Sequence, residues 1–169
     1  DKSQVAMAGH WDKANNYVRG IEDYLLTEQY RRPEHQQKVV EDILDNWIQY
    51  SQNNKFHGMF ATSSIAEAIE YYRLFKKLKP KLKITALFDP NIDNNENAKF
   101  KEDGLVEIIS DYNNRYGMEF SLATHAKMKR DIADRLAHKE LYKRVEHTPE
   151  KQLELLIVVD QMLTGFDSK

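Results

Sequence analysis

Leu155-Leu156-Ile157-Val158-Val159 is the longest apolar run in the chain, and it is only five residues long. That is the length of a strand, far below the roughly 20 residues that cross a bilayer. Because the run does not alternate with polar residues, it calls for burial on both faces, as in a parallel sheet covered by helices. Residues 56–61 read as a further strand of this kind, and residues 82–88 as another strand. Between them, Ser64 and Glu67 stand at capping-box spacing ahead of a helix that buries Ile65, Ile69, Tyr72 and Leu78 before Pro80 stops it. A strand, a helix and a strand in succession predict a parallel pair joined by a right-handed crossover.

Helical periodicity marks the rest. Ala14, Tyr17, Val18, Ile21, Leu25 and Leu26 predict a helix from Asp12 to about Tyr30, with Asp12 as its cap. Pro33 opens a second helix with Val40, Ile43, Leu44, Trp47 and Ile48 on its apolar face, ended by Ser51-Gln52-Asn53-Asn54. A third is expected from about Asp103 to Tyr116 with Gly117 as its left-handed stop, and a fourth from Thr124 to about Leu141. Residues 1–30 then form a helical lead-in, and residues 31–169 an α/β domain with a parallel sheet.

Composition narrows the class. Hydrophobic residues at 41% and charged residues at 31% describe an ordinary globular chain of 169 residues, long enough for a substantial core. A formal charge of −2 gives no global pull on nucleic acid, so any contact with DNA needs a local patch. With no cysteine, thiol chemistry and zinc–thiolate sites are excluded, and the polar start carries no signal-peptide pattern. A cytoplasmic protein with no membrane association is expected. The chain starts on Asp1 and stops on Lys169 just after a motif-like stretch, which reads as an excised piece.

Ligands of open parallel sheets bind beyond the carboxyl ends of the strands. Three loops leave those ends. Thr62-Ser63-Ser64 sets three hydroxyls before a helix N-terminus, a place suited either to a phosphate or to simple capping. In Asp160-Gln161-Met162-Leu163-Thr164-Gly165-Phe166-Asp167, a glycine permits close backbone approach and an aspartate can accept from ribose hydroxyls; a plain surface turn is the other reading. The third loop, from Asp89 to Asn95, lacks the glycine and the bidentate glutamate of a calcium loop. The histidines show no metal-ligand spacing. The lysines at 76, 77, 79, 81 and 83 suit a helix C-terminus or a phosphate backbone, and Lys127, Lys129, Arg130, Arg135, Lys139, Lys143 and Arg144 read as a solvated helical face. No glycine is followed by lysine, so the loop G-x-x-x-x-G-K-[ST] is absent and this chain has no cradle of its own for ATP phosphates.

Met59-Phe60-Ala61-Thr62-Ser63-Ser64 and the block from Leu155 to Asp167 resemble helicase motifs IV and V of the R subunit of type I restriction enzymes. Tyr71-Tyr72-Arg73-Leu74-Phe75 and Ser110-Asp111-Tyr112-Asn113 add to the likeness, which runs from about Arg31 to the C-terminus. The resemblance implies the second RecA-like lobe of an ATP-dependent DNA translocase, cut off after motif V. It implies ATP with Mg²⁺ in the full protein, held between two lobes, and none bound by this piece. Gly165 and Asp167 would face the nucleotide, while Thr62, Ser63, Ser64 and Thr164 would meet duplex DNA. Catalytic residues would lie elsewhere, and specificity and methyltransferase subunits would be partners. The competing expectation is a non-catalytic α/β adaptor or receiver-like module with Asp89 and Asp160 at its strand ends.

Overall fold

The computed structural model describes residues 9–24, 32–89 and 97–159. The chain divides into two compact units, Asp1–Glu41 and Asp42–Lys169.

In the first unit, two short antiparallel strands, β1 (His10–Trp11) and β2 (Tyr17–Val18), pair His10 with Val18 and Trp11 with Tyr17, and a 3-10 turn follows at Glu22–Tyr24. The helix expected from Asp12 is therefore not formed over residues 12–24; residues 25–31 lie outside the described set. The local chemistry explains the reversal. The Asp12 carboxylate accepts from the backbone N–H groups of Ala14 and Asn16, and Asn15 adopts φ 63°. Asp and Asn at those positions favour a tight turn over a helix. Asp12 does cap a backbone, but it is the backbone of a hairpin.

Helix α1 (Pro33–Asp45) begins on its proline as expected, and a short α2 (Trp47–Tyr50) continues from it. Val40 and Trp47 are the buried members of the apolar face, while Ile48 is exposed. Gln52, Asn53 and Asn54 all take positive φ, which ends the helical run.

The second unit is built on a three-stranded parallel sheet ordered β3 (Gly58–Thr62), β5 (Leu155–Val159), β4 (Ile84–Leu87). All five residues of β5 are buried, in keeping with its central position. The burial expected on both faces of β3 does not occur: Met59 is 43% exposed and Ala61 is exposed too. Among the described residues β3 pairs only with β5, so it is an edge strand and shows half-burial.

Helix α3 (Ile65–Leu78) packs on all three strands through Ile65, Ala68, Ile69, Tyr72 and Phe75, an i, i+3, i+4 series. Leu78, expected inside, is 38% exposed in the last turn. Helix α4 (Ala98–Tyr116) starts earlier than its periodicity suggests and closes on Gly117 at φ 65°, whose N–H donates to the Asn113 carbonyl. It packs on α3 and β4. Gly104 makes that approach possible, since a Cβ there would stand 2.5 Å from the Ile69 Cδ1. Helix α5 (His125–Leu136) is shorter than expected: His138 and Glu140 take positive φ, and three 3-10 turns lead from Glu140 to Lys151. No helix among the described residues is long and apolar enough to cross a membrane.

Candidate functional site

Parallel pairing brings the carboxyl ends of β3 and β5 side by side, with Thr62 opposite Val159. Residues 62–64 thus leave the sheet beside Val159, the last described residue. The structure positions this first half of the expected site; Thr164, Gly165 and Asp167, its second half, lie outside the described residues.

The three hydroxyls have different surroundings. Thr62 is 3% exposed, and its Oγ1 lies nearest the Val158 carbonyl at 3.1 Å, across the sheet, with the Ser64 carbonyl at 3.3 Å as a second acceptor. Its hydroxyl therefore belongs to the sheet. Ser64 is the N-cap of α3: its Oγ accepts from the Glu67 N–H at 3.2 Å. The reciprocal half of the capping box is displaced by one residue. The Glu67 carboxylate receives both the backbone N–H and the hydroxyl of Ser63, each at 2.7 Å, instead of the Ser64 N–H. Only Ser63 is exposed among the three. An acidic side chain in the first turn also complements the positive end of the helix. The S-x-x-E pattern marks Glu67 as a capping residue, but it does not reveal the choice of Ser63.

The end of β4 carries a second polar group of side chains. Asp89 lies 3.9 Å from Lys129 of α5. His125, in the first turn of α5, is 7% exposed and its Nε2 has no hydrogen-bond partner. Burial, and then the Lys129 charge, hold its imidazole below the usual histidine range, with Asp89 opposing them.

Away from these ends, the structure assembles a group that the sequence does not announce. Arg135 is expected on a solvated face with its basic neighbours, yet it is 2% exposed. Its guanidinium carbon lies 3.7 Å from the Tyr116 ring centroid and 4.2 Å from that of Tyr142. It donates to the Tyr112 and Tyr142 hydroxyls, the Asp131 carboxylate and the Lys151 carbonyl. Tyr112 and Tyr142 both donate to Asp131. Burial is the main cause raising all three phenols, Tyr116 to about 12, against the pull of the Arg135 charge. A buried charge is tolerable only when paired and hydrogen-bonded, and here nearly every donor is used. The group fixes the backbone just ahead of β5, because Tyr116 also donates to the Gln152 carbonyl at 3.0 Å. The sequence holds only faint signals of it: an Asp131–Arg135 i, i+4 pair and tyrosines at 112 and 116.

A second ion-pair network joins α3 to α4. Lys76 pairs with Asp111 and Glu107, Arg73 pairs with Glu107 at 2.8 Å, and the Tyr72 hydroxyl donates to Asp111 at 2.7 Å. Among the described residues, no cluster of three or more His, Cys, Asp or Glu side chains is placed to hold a metal.

A sequence model of type I restriction enzyme subunit R domain 3 matches residues 54–169, which include β3, β4 and β5. The endonuclease subunit of a type I restriction enzyme from Staphylococcus aureus (strain COL) is 32% identical over 139 residues, 78% of this chain and 14% of that protein. A type I restriction enzyme endonuclease subunit from Staphylococcus saprophyticus is 28% identical over 140 residues, again 78% of this chain and 14% of its own length. The chain therefore spans a small part of the relatives it matches. The match covers the whole parallel sheet with the helices on it, and the chain belongs to the type I restriction enzyme subunit R domain 3 family.

Proposed function

We propose that this chain is part of the motor of a type I restriction endonuclease subunit, a second RecA-like lobe that supplies one wall of an ATP cleft and part of a DNA track. The observation that carries this reading is the juxtaposition of the β3 and β5 carboxyl ends, with Thr62 in register with Val159. Ligands of such sheets bind at this edge. Ser63, exposed beside the N-terminus of α3, is the residue of the Thr62–Ser64 group suited to a DNA phosphate. Thr62 and Ser64 hold the backbone that presents it. Thr164 would add a second hydroxyl to the track.

ATP and Mg²⁺ belong to the whole subunit. In this chain Gly165 and Asp167 would meet the nucleotide, the glycine by admitting close backbone approach and the aspartate by accepting from ribose hydroxyls. Without a G-K-[ST] loop, phosphate binding and hydrolysis fall to another part of the protein. Duplex DNA and the specificity and methyltransferase subunits are the partners of that larger assembly.

The test uses the full-length subunit in its assembled complex. Asp167→Ala or Gly165→Val is expected to slow DNA-stimulated ATP turnover about tenfold or more, equivalent to losing about 1.4 kcal/mol of transition-state stabilisation. Turnover equal to that of the unaltered complex in both variants would remove the nucleotide-facing role.

A further inference from the structure

At the opposite, amino edge of the same sheet the fold gathers basic side chains from three separate segments. The first is the turn from the end of α3 into β4, carrying Lys77, Lys79 and Lys81. The second is the end of α4, whose Arg115 reaches the Pro80 carbonyl of that turn at 3.5 Å. The third is the Pro149–Lys151 turn, tied to it because the Lys83 ammonium donates to the Pro149 carbonyl at 2.8 Å.

The lysines of the first segment divide sharply by partner. Lys76 is held by Asp111 and Glu107, and Lys83 by Glu154 and Pro149. Lys77, Lys79 and Lys81, which lie between them in sequence, make no ion pair with any described residue. Lys77, Lys81, Arg115 and Lys151 are exposed and Lys79 is half-buried; one exposed carboxylate, Glu150, stands beside Lys151. Complementing the α3 dipole explains Lys76 and Lys77 in the last turn, but Lys79 and Lys81 lie beyond the helix.

The backbone carrying these charges is fixed. Leu82 is buried at 2% exposure, its N–H donates to the Lys79 carbonyl at 3.0 Å, and the Lys79 N–H donates to the Phe75 carbonyl at 2.8 Å. The Lys83 N–H donates to the Glu154 carboxylate at 2.8 Å. Like charges are thus held together on a braced turn in a protein whose net charge is −2. An anion relieves that repulsion, and lysines act as point charges that read no sequence.

We propose that this amino edge is an additional docking surface for the phosphate backbone of duplex DNA, with Lys77, Lys79 and Lys81 as the residues that principally meet it. The choice of DNA rests on the reading proposed above; the surface itself rests on braced lysines that have no ion pair among the described residues. Duplex DNA carries one charge per ~1.7 Å of axis, which suits closely spaced lysines on one turn.

The test measures binding of the chain to a labelled duplex by fluorescence anisotropy across a salt series. The Lys77→Gln, Lys79→Gln, Lys81→Gln triple variant should lower the log–log salt slope by about 2 to 3, at roughly 0.9 for each phosphate that is no longer neutralised. An unchanged slope overturns this surface and leaves the carboxyl-edge reading standing, which Ser63→Asp in the same assay judges separately. Failure of the parent chain to bind duplex even at low salt also overturns it. Binding to polyglutamate competitors rather than duplex is a loss for the proposal too, since it reassigns the edge to an acidic protein partner. Circular dichroism melts check that the triple variant keeps its fold.

Discussion

Two basic regions of this domain are made from similar sequence and arrive at opposite ends. Arg135, in a run dense with Lys and Arg, is sealed among Tyr112, Tyr116, Tyr142 and Asp131, with its donors in use. Lys77, Lys79 and Lys81, in an equally dense run, make no ion pair among the described residues. What separates them is the neighbourhood that the fold supplies. Tyrosines on α4 and in the 3-10 turn give a guanidinium flat surfaces and a carboxylate, which a planar, delocalised cation exploits better than an ammonium. The lysine turn runs past the end of its helix, and no acidic residue follows in sequence until Asp89. Charge density along a sequence therefore says little about whether a charge is solvated.

The sharpest way to break the contrast is Arg135→Ala. It leaves Asp131 inside without its cation and the Lys151 carbonyl without its donor, a loss of about 3–5 kcal/mol. For a chain of this size that is a fall in melting temperature on the order of 10 °C by circular dichroism. A fall of only about 2 °C would mean the cage contributes no more than a surface pair.

Next in size is Tyr142→Phe. It removes the hydroxyl that donates to Asp131 and accepts from Arg135 while keeping the ring over the guanidinium. An expected cost of about 1–2 kcal/mol, read from urea unfolding, would separate the hydrogen bonds from the stacking.

A smaller effect follows pH. His125 titrates below its usual range in the folded state, so between that lowered value and the ordinary 6.5 the unfolded chain binds the extra proton. Stability contributed by the neutral imidazole is complete above about 6.5 and is lost as the pH falls through this window. His57, lowered by desolvation and then by His138, has the same sign, but it is exposed and contributes less. Melting temperatures at pH 7.5 and 5.5 should differ less in His125→Gln than in the parent; equal differences would show that His125 carries none of this dependence. Smallest of all, the triple lysine-to-glutamine change at 77, 79 and 81 should move the unfolding free energy by no more than about 0.5 kcal/mol in thermal or chemical denaturation. A loss of several kcal/mol would place those lysines in the same class as Arg135.

Much of the sheet is legible in the sequence because its signals are local and strong. Leu155–Val159 needs no context, and Ser64, Pro80, Pro33 and Gly117 each act within one turn of themselves. Expectation and structure part once for a long-range reason and once for a local one. Half-burial of β3 follows from its place at the edge, which nothing between residues 56 and 61 encodes. Asp12 is a capping side chain, as its type suggests, but the backbone it caps is a hairpin, because Asn15 at positive φ turns the chain there. At the candidate site, the cap role of Ser64 is readable from S-x-x-E spacing. The inward turn of the Thr62 hydroxyl is not, since the nearer of its two acceptors, Val158, is nearly a hundred positions away.

The Glu67 carboxylate bound to Ser63 has a consequence for any anion arriving there. That site is already filled by a tethered anion, so an incoming phosphate would have to exchange places with it. Its affinity measures how much better a phosphate satisfies one amide and one hydroxyl than a carboxylate that never diffuses away. Such an exchange would favour a weak, rapidly reversible grip over a tight one.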